Sequence, residues 1–168
     1  MTVLVAYASA HGSTRTVAER VAARLGRHGL DVELAALDAV PDVGPYRAVV
    51  LGSAVHNGAW LPEAVDCVRR QRASLFARPV WMFSVGMAAA LPRPLRRLAA
   101  RSEPPRITRA VEAIEPRGYR RFSGVVRSEH LDRKGRVLFR LLGCRYGDFR
   151  DWDAVDVWAD GIAKTLAE

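Results

Sequence analysis

Val3-Leu4-Val5-Ala6-Tyr7-Ala8 is a short apolar run that stops at Ser9, Ala10, His11, Gly12, Ser13 and Thr14 and passes at once into a helical pattern. The run reads as a buried strand, and a strand leading straight into a helix is the opening unit of an alternating α/β chain. Ser13 or Thr14 is placed to cap the helix behind the turn. The turn gathers backbone N–H groups and hydroxyls in front of a helix N-terminus. The first N–H groups of a helix lack partners and its dipole is positive there, so this spot attracts a phosphate. An ordinary capped turn with no ligand is the alternative.

The rest of the chain keeps alternating. Val17, Val21 and Leu25 line one face of a first helix over residues 14–27, which Gly29 stops. Val32–Ala35 reads as a second strand and Ala48–Leu51 as a third. Pro62 suits the first turn of a helix running to about Phe76. Pro79–Val85 is apolar on both faces, as a central parallel strand is. A Pro- and Arg-rich stretch follows, then a helix near Ile107–Ile114, a fifth strand at Phe122–Val126, and a last helix at Trp152–Leu166 capped by Asp151. Together these elements make a doubly wound parallel sheet of five strands with helices on both faces. Ligands of such sheets bind at the strand C-termini near the switch point.

Elimination narrows the phosphate. A dinucleotide turn needs G-x-G-x-x-G, but this turn holds only Gly12; a P-loop needs a lysine after its second glycine, and none follows Gly12. Hydroxyls with one small residue suit a phosphate monoester held by side chains and backbone without a metal. The spacing Tyr7-x-Ser9-x-x-Gly12-x-Thr14-x-x-x-Ala18-x-x-Val21 resembles the flavodoxin fingerprint, apart from Ala6 where a larger apolar residue is usual. That resemblance implies a flavodoxin-like fold whose Ser9–Thr14 loop grips the phosphate of FMN.

Two further strand ends extend the candidate site. The third strand leads into Gly52-Ser53-Ala54-Val55-His56-Asn57-Gly58-Ala59-Trp60 and the fourth into Ser84-Val85-Gly86-Met87-Ala88. In a flavodoxin-like fold such loops clasp the flavin ring, so Ser53, Ala54, Val55, His56, Asn57, Gly58, Trp60, Ser84, Val85, Gly86 and Met87 join the cofactor set. Gly52, Gly58 and Gly86 would let backbone approach closely. Trp60 fits either stacking on a ring or core packing. His56 fits either a catalytic, proton-handling residue or a solvated loop residue. An aspartate phosphoreceiver is excluded, because the relevant strand ends read Ala8-Ser9, Gly52-Ser53 and Arg127-Ser128. No G-x-S-x-G nucleophile elbow occurs.

A length of 168 residues suits one domain. Cys67 and Cys144 lie far apart and lack metal-ligand spacing, which suits a reducing compartment and no metal. Neither a signal-peptide pattern nor an apolar run near the roughly 20 residues of a spanning helix is present, so a cytoplasmic location is expected. The net charge of +8 is concentrated: residues 90–150 hold 16 of the 26 Lys and Arg but 6 of the 18 Asp and Glu. Arginine forks pair with carboxylates and phosphates, so this face attracts an anionic partner. Within it, residues 131–145 form a basic amphipathic segment, part of an insert at about 129–150, with Val137, Leu138, Phe139, Leu141 and Leu142 on one arc and Arg133, Arg136 and Arg140 opposite. Such a segment lies on the inner face of an anionic membrane or packs on its own domain.

Over nearly its full length the chain resembles the menaquinone-dependent protoporphyrinogen oxidase family. The matching features are the Ser9–Thr14 loop, Gly52-Ser53-Ala54 with Gly58, Phe83-Ser84-Val85, Gly124-Val125-Val126-Arg127 and the Asp151-Trp152 cap. This resemblance implies an FMN-dependent oxidoreductase that oxidises an anionic, carboxylate-bearing substrate and passes the electrons to a quinone. Two other classes fit the same residues. One is a flavodoxin-type electron carrier docking on a redox partner protein; the other is a flavin-free module binding anions through its arginines. The undamaged phosphate turn argues against the flavin-free module and against nucleic acid as the partner.

Overall fold

The computed structural model describes residues 2–168. Strands β1 (Val3–Ala8), β2 (Val32–Ala36), β3 (Ala48–His56), β5 (Val80–Gly86) and β6 (Gly118–Ser123) pair in parallel in the order β2-β1-β3-β5-β6. Successive residues of the inner strands point to opposite faces, so each strand supplies two cores. One core joins Leu4, Leu51 and Met82 to Val68 of α2 (Pro62–Arg70), Leu75 of α3 (Arg72–Phe76) and Ile107 of α5 (Pro105–Glu112). The other joins Val3, Val5 and Phe83 to Val17, Val21 and Leu25 of α1 (Ser13–Arg27) and to Val155, Ala159 and Ile162 of α7 (Trp152–Ala167). Two arginine forks tie α1 to α7: Arg20 donates to both carboxylate oxygens of Asp156 at 2.7 Å each, and Arg24 donates to those of Asp160 at 2.6 and 2.8 Å. The doubly wound sheet with helices on both faces is the architecture the sequence predicts.

Several elements differ from the sequence reading. The segment expected as a loop after the third strand is a β-hairpin: β3 runs on to His56 and pairs antiparallel with β4 (Ala59–Trp60). Asn57 and Gly58 form its two-residue turn, both with positive φ (50° and 69°), as a type I′ turn requires. The helix opened by Pro62 breaks at Gln71, whose side chain instead reaches across to accept from the Val43 N–H at 2.7 Å. The Pro- and Arg-rich stretch contains a helix, α4 (Arg93–Arg101), because its prolines sit at the N-terminal end, where no N–H is required. The fifth strand begins earlier than expected, at Gly118. It is an edge strand with Arg120 and Arg121 exposed, so a continuous apolar run is not needed there. Residues Val125–Val126 leave it to form β7, which pairs with β8 (Gly147–Asp148).

The insert contains helix α6 (Arg133–Leu141), capped by the Asp132 side chain, which accepts from the Gly135 N–H. Phe139 is buried against Ala90 and Val126, whereas Val137, Leu138 and Leu141 remain 60, 57 and 79 % exposed. The apolar arc is therefore divided between the domain and solvent. At the chain's other cap, the Asp151 side chain accepts from the Ala154 N–H at 3.0 Å and starts α7 as expected.

Candidate functional site

A groove of about 120 Å³ lies at the C-terminal ends of β1, β3 and β5, beside the point where strand order reverses. Ser9, Ala10, His11, Ser13 and Thr14 line one side, with Ala54, Val55, His56, Val85, Gly86 and Met87 opposite. Gly12 sits between the loop residues with φ +93°, a left-handed conformation that side chains resist, and its N–H donates to Ser9 Oγ at 3.0 Å. Among the described residues, the N–H groups of Ala10, His11, Ser13 and Thr14 donate to no protein acceptor, and the first helical bond of α1 runs from Thr16 to Gly12. The side-chain cap expected from Ser13 or Thr14 is not made. The Ser13 hydroxyl accepts from the Val125 N–H at 2.9 Å instead, tying the loop to β7.

This donor set fits a phosphate monoester, whose oxygens are acceptors, at the positive end of a 15-residue helix. The apolar walls fit a flat ring.

Three residues of the predicted set lie behind the groove rather than in it. Ser53 is buried; its hydroxyl donates to Ala54 O and accepts from the Leu61 N–H. The Trp60 indole is buried too, and its N–H donates to Ser84 Oγ at 2.6 Å, so Trp60 packs in the core and offers no face for stacking. Ser84 lies beneath the strand end, bonded to the Tyr119 hydroxyl at 2.7 Å. Asn57 and Gly58 occupy the hairpin tip outside the groove, where Gly58 faces Pro104. Gly52 also changes role: a Cβ there would lie 2.0 Å from the Phe83 ring, so the glycine admits a core phenylalanine, not a ligand.

Five lining residues escaped the sequence reading of the site: Gly124, Val125, Val126, His130 and Leu131. Gly124 is required by close approach, because a Cβ would lie 2.8 Å from Ser13 Cβ and 2.9 Å from Val85 Cγ1. The available signal was that glycine at the end of a strand. His130 stacks on His11 across the mouth, with ring centroids 4.1 Å apart and planes within 4°. Partial burial, followed by the neighbouring His130 and His56, holds the His11 imidazole below its ordinary value, and His56 lies exposed at the groove edge. Three histidines thus surround the loop. Among the described residues, no group of three or more His, Cys, Asp or Glu could hold a metal ion, and both cysteines are free.

A second, larger cavity of about 710 Å³ shares Val55, Gly86 and Met87 with the groove and extends under α4. Ser84 reaches its floor, and a chain of hydrogen bonds runs from there to its rim. The Tyr119 hydroxyl donates to Glu103 at 3.0 Å, and Glu103 pairs with Arg121 Nε at 3.2 Å. Burial pushes the Tyr119 phenol up, so it remains a donor at all working pH values.

A family model described as a flavodoxin domain matches residues 4–148. No curated protein matches the sequence. A flavodoxin from the domain Archaea superposes with a TM-score of 0.65 at 14 % identity, covering 100 % of both chains. Oxidised flavodoxin 1 from Bacillus cereus gives 0.58 at 11 % identity, over 98 % of both chains. The rubredoxin oxygen:oxidoreductase of Desulfovibrio gigas gives 0.65 at 15 % identity; 99 % of this chain covers 36 % of that one. At these identities the structural likeness concerns the fold.

Proposed function

This chain belongs to the flavodoxin domain family, and on that premise we propose that it binds FMN at the strand ends and works as a redox protein. The observation that carries the reading is the set of unpartnered N–H groups at Ala10, His11, Ser13 and Thr14, facing a groove with apolar walls. The loop would hold the phosphate. Ala54, Val55 and His56 on one side and Val85, Gly86 and Met87 on the other would flank the ring. Bound FMN would supply reversible one- and two-electron transfer. The chain would orient it, exclude water with Leu131 and Val126, and present His56 and His11 as proton-bearing groups at the edge.

The finer reading is an oxidoreductase of the menaquinone-dependent protoporphyrinogen oxidase type. An anionic organic substrate would lose two electrons and two protons, and a quinone would take them up as the quinol. Residues 1–168 would work as one domain. The insert at about 129–150 supports this reading through exposed Val137, Leu138 and Leu141 beside Arg133, Lys134 and Arg136, a composition suited to an anionic bilayer surface where quinones dissolve. No helix among the described residues is long and apolar enough to cross a membrane. The second reading, an electron carrier serving a redox partner protein, is favoured by flavodoxins that match over the chain's whole length.

Absorbance titration of the purified protein with FMN tests the core reading. A stoichiometric flavin spectrum is the expected result, and a protein that refuses FMN overturns it. Turnover with a soluble naphthoquinone then supports the oxidoreductase, whereas fast single-electron exchange without turnover supports the carrier.

A further inference from the structure

We propose that the cavity beneath α4 is a second ligand site, which takes a flat, apolar organic molecule bearing a single negative charge. Its volume, about 710 Å³, lies within the range of small-molecule sites. Leu91, Ala99, Ala100, Pro104, Ile107 and Phe122 give it mainly apolar walls. Small alanines (Ala99, Ala100) and rigid prolines (Pro104, Pro105) among its lining residues leave room for a planar ring system.

The charges at the rim select the sign and number of the ligand's own charge. Every nitrogen of Arg121 is engaged, leaving one Nη2 hydrogen over: Nε pairs with Glu103, Nη1 donates to the carbonyls of Ala99 and Ser102, and Nη2 to that of Ala100. Glu103 is neutralised by that pair and by the Tyr119 hydroxyl. Arg96 differs. Its Nη2 donates to the carbonyls of Ala89 and Leu91, but among the described residues its Nε and Nη1 have no partner. One cation with free donors at the mouth of an apolar cavity matches one anionic group on a flat body. A neutral ring would leave those donors to solvent, and a dianion would bring a second charge against Glu103.

The cavity's floor is held independently of any ligand. The Trp60 N–H donates to Ser84, Ser84 bonds Tyr119, Tyr119 donates to Glu103, and Glu103 accepts from Arg121. Four side chains from β4, β5 and β6 are thereby linked to a carboxylate just beyond the end of α4, so the cavity is preorganised. Because Val55, Gly86 and Met87 wall both cavities, a molecule bound here lies against the groove assigned to FMN. The site would thus receive a flat, monoanionic redox substrate; that identification rests on the redox reading, while the binding chemistry does not.

Naphthalene-2-sulfonate is the probe. Calorimetric titration into the FMN-loaded and FMN-free protein should give a Kd below about 1 mM in both, with the neutral naphthalene-2-methanol about tenfold weaker. Arg96→Gln should erase that preference. Ala99→Trp, which obstructs the cavity, should abolish binding while leaving FMN affinity unchanged. In the wild-type protein, nuclear Overhauser contacts should link the probe's ring protons to the Ala99 and Ala100 methyls, which keeps the proposal testable if a variant fails to fold. No binding, an unchanged preference in Arg96→Gln, contacts elsewhere, or displacement of the probe by FMN would each overturn the site. A protein that refuses FMN yet binds the probe in the cavity loses the redox reading and keeps this site; one that takes FMN but not the probe does the reverse.

Discussion

The two cavities share a wall and differ in what they offer a ligand. The groove at the strand ends presents backbone: unpartnered N–H groups of the Ala10–Thr14 turn, aimed by Gly12 and by the start of α1. The cavity beneath α4 presents side chains: apolar walls, one free arginine edge and a carboxylate already satisfied by its neighbours. Backbone donors come with the chain's local conformation and hold a group of fixed geometry, such as a phosphate. Side-chain sites depend on which elements meet, and they can change occupant without disturbing the sheet. The first site is tied to the fold's backbone, whereas the second depends on side chains of β5, α4, β6 and the segments between them.

Substitutions can separate the two. The largest effect belongs to the layer beneath both. Gly52→Ala would place a Cβ 2.0 Å from a Phe83 ring that packs edge-on against Phe122 and Trp158. We expect a loss of about 3 kcal/mol in urea unfolding, with both ligand affinities lowered together. If one affinity survives intact, the cavities do not share that support. Next comes Gly12→Val, which forces a β-branched residue into φ +93°. FMN affinity should fall up to about 100-fold in fluorescence titration while naphthalene-2-sulfonate still binds.

Ser84→Ala acts from the other side. It leaves the buried Trp60 N–H without its acceptor, at a cost of about 1–3 kcal/mol in stability, and loosens the floor of the second cavity. FMN affinity should change by no more than about twofold, as for a substitution outside the groove. The smallest effect is one of pH. His11, facing His130 and His56, is held below its ordinary value of 6.5, so the unfolded chain takes up the proton first and the free protein loses stability as pH falls from 6.5 through the lowered folded value. A phosphate beside His11 would favour the imidazolium, so FMN binding should take up a fraction of a proton and tighten as pH falls toward the lowered value of the free protein, below 6.5. Calorimetry in buffers of different ionisation enthalpy would show it, and His11→Gln should remove it. An equal proton uptake in the variant would assign the effect to another group.

Much of the sheet was legible because its cause is local. The runs Val3–Ala8 and Val80–Val85 are apolar on both faces, and α1 and α7 carry regular stripes, so period and capping identify them. The Ser9–Thr14 turn, with its unpartnered N–H groups, was legible for the same reason, since strand, small residues and helix are contiguous. The hairpin at Asn57-Gly58 carried a readable turn signal that the flavin-loop reading passed over. Helix α4 was hidden by prolines that read as breakers although they sit where a helix tolerates them. Trp60 could not be placed from its own segment, because its burial depends on Ser84, 24 residues away.

From the sequence alone came the α/β alternation, the strand-to-helix turn at Ser9–Thr14 and the concentration of positive charge between residues 90 and 150. Each is a property of neighbours along the chain, set by side-chain period, capping chemistry or composition. Only the tertiary structure decided that Gly124 and His130 complete the groove, that Gly52 serves Phe83, and that one arginine at the second cavity keeps two nitrogens without a partner while another has every nitrogen engaged. Those outcomes depend on close approach between segments distant in sequence, where a separation of a few ångströms determines whether a polar group is satisfied or left for a ligand.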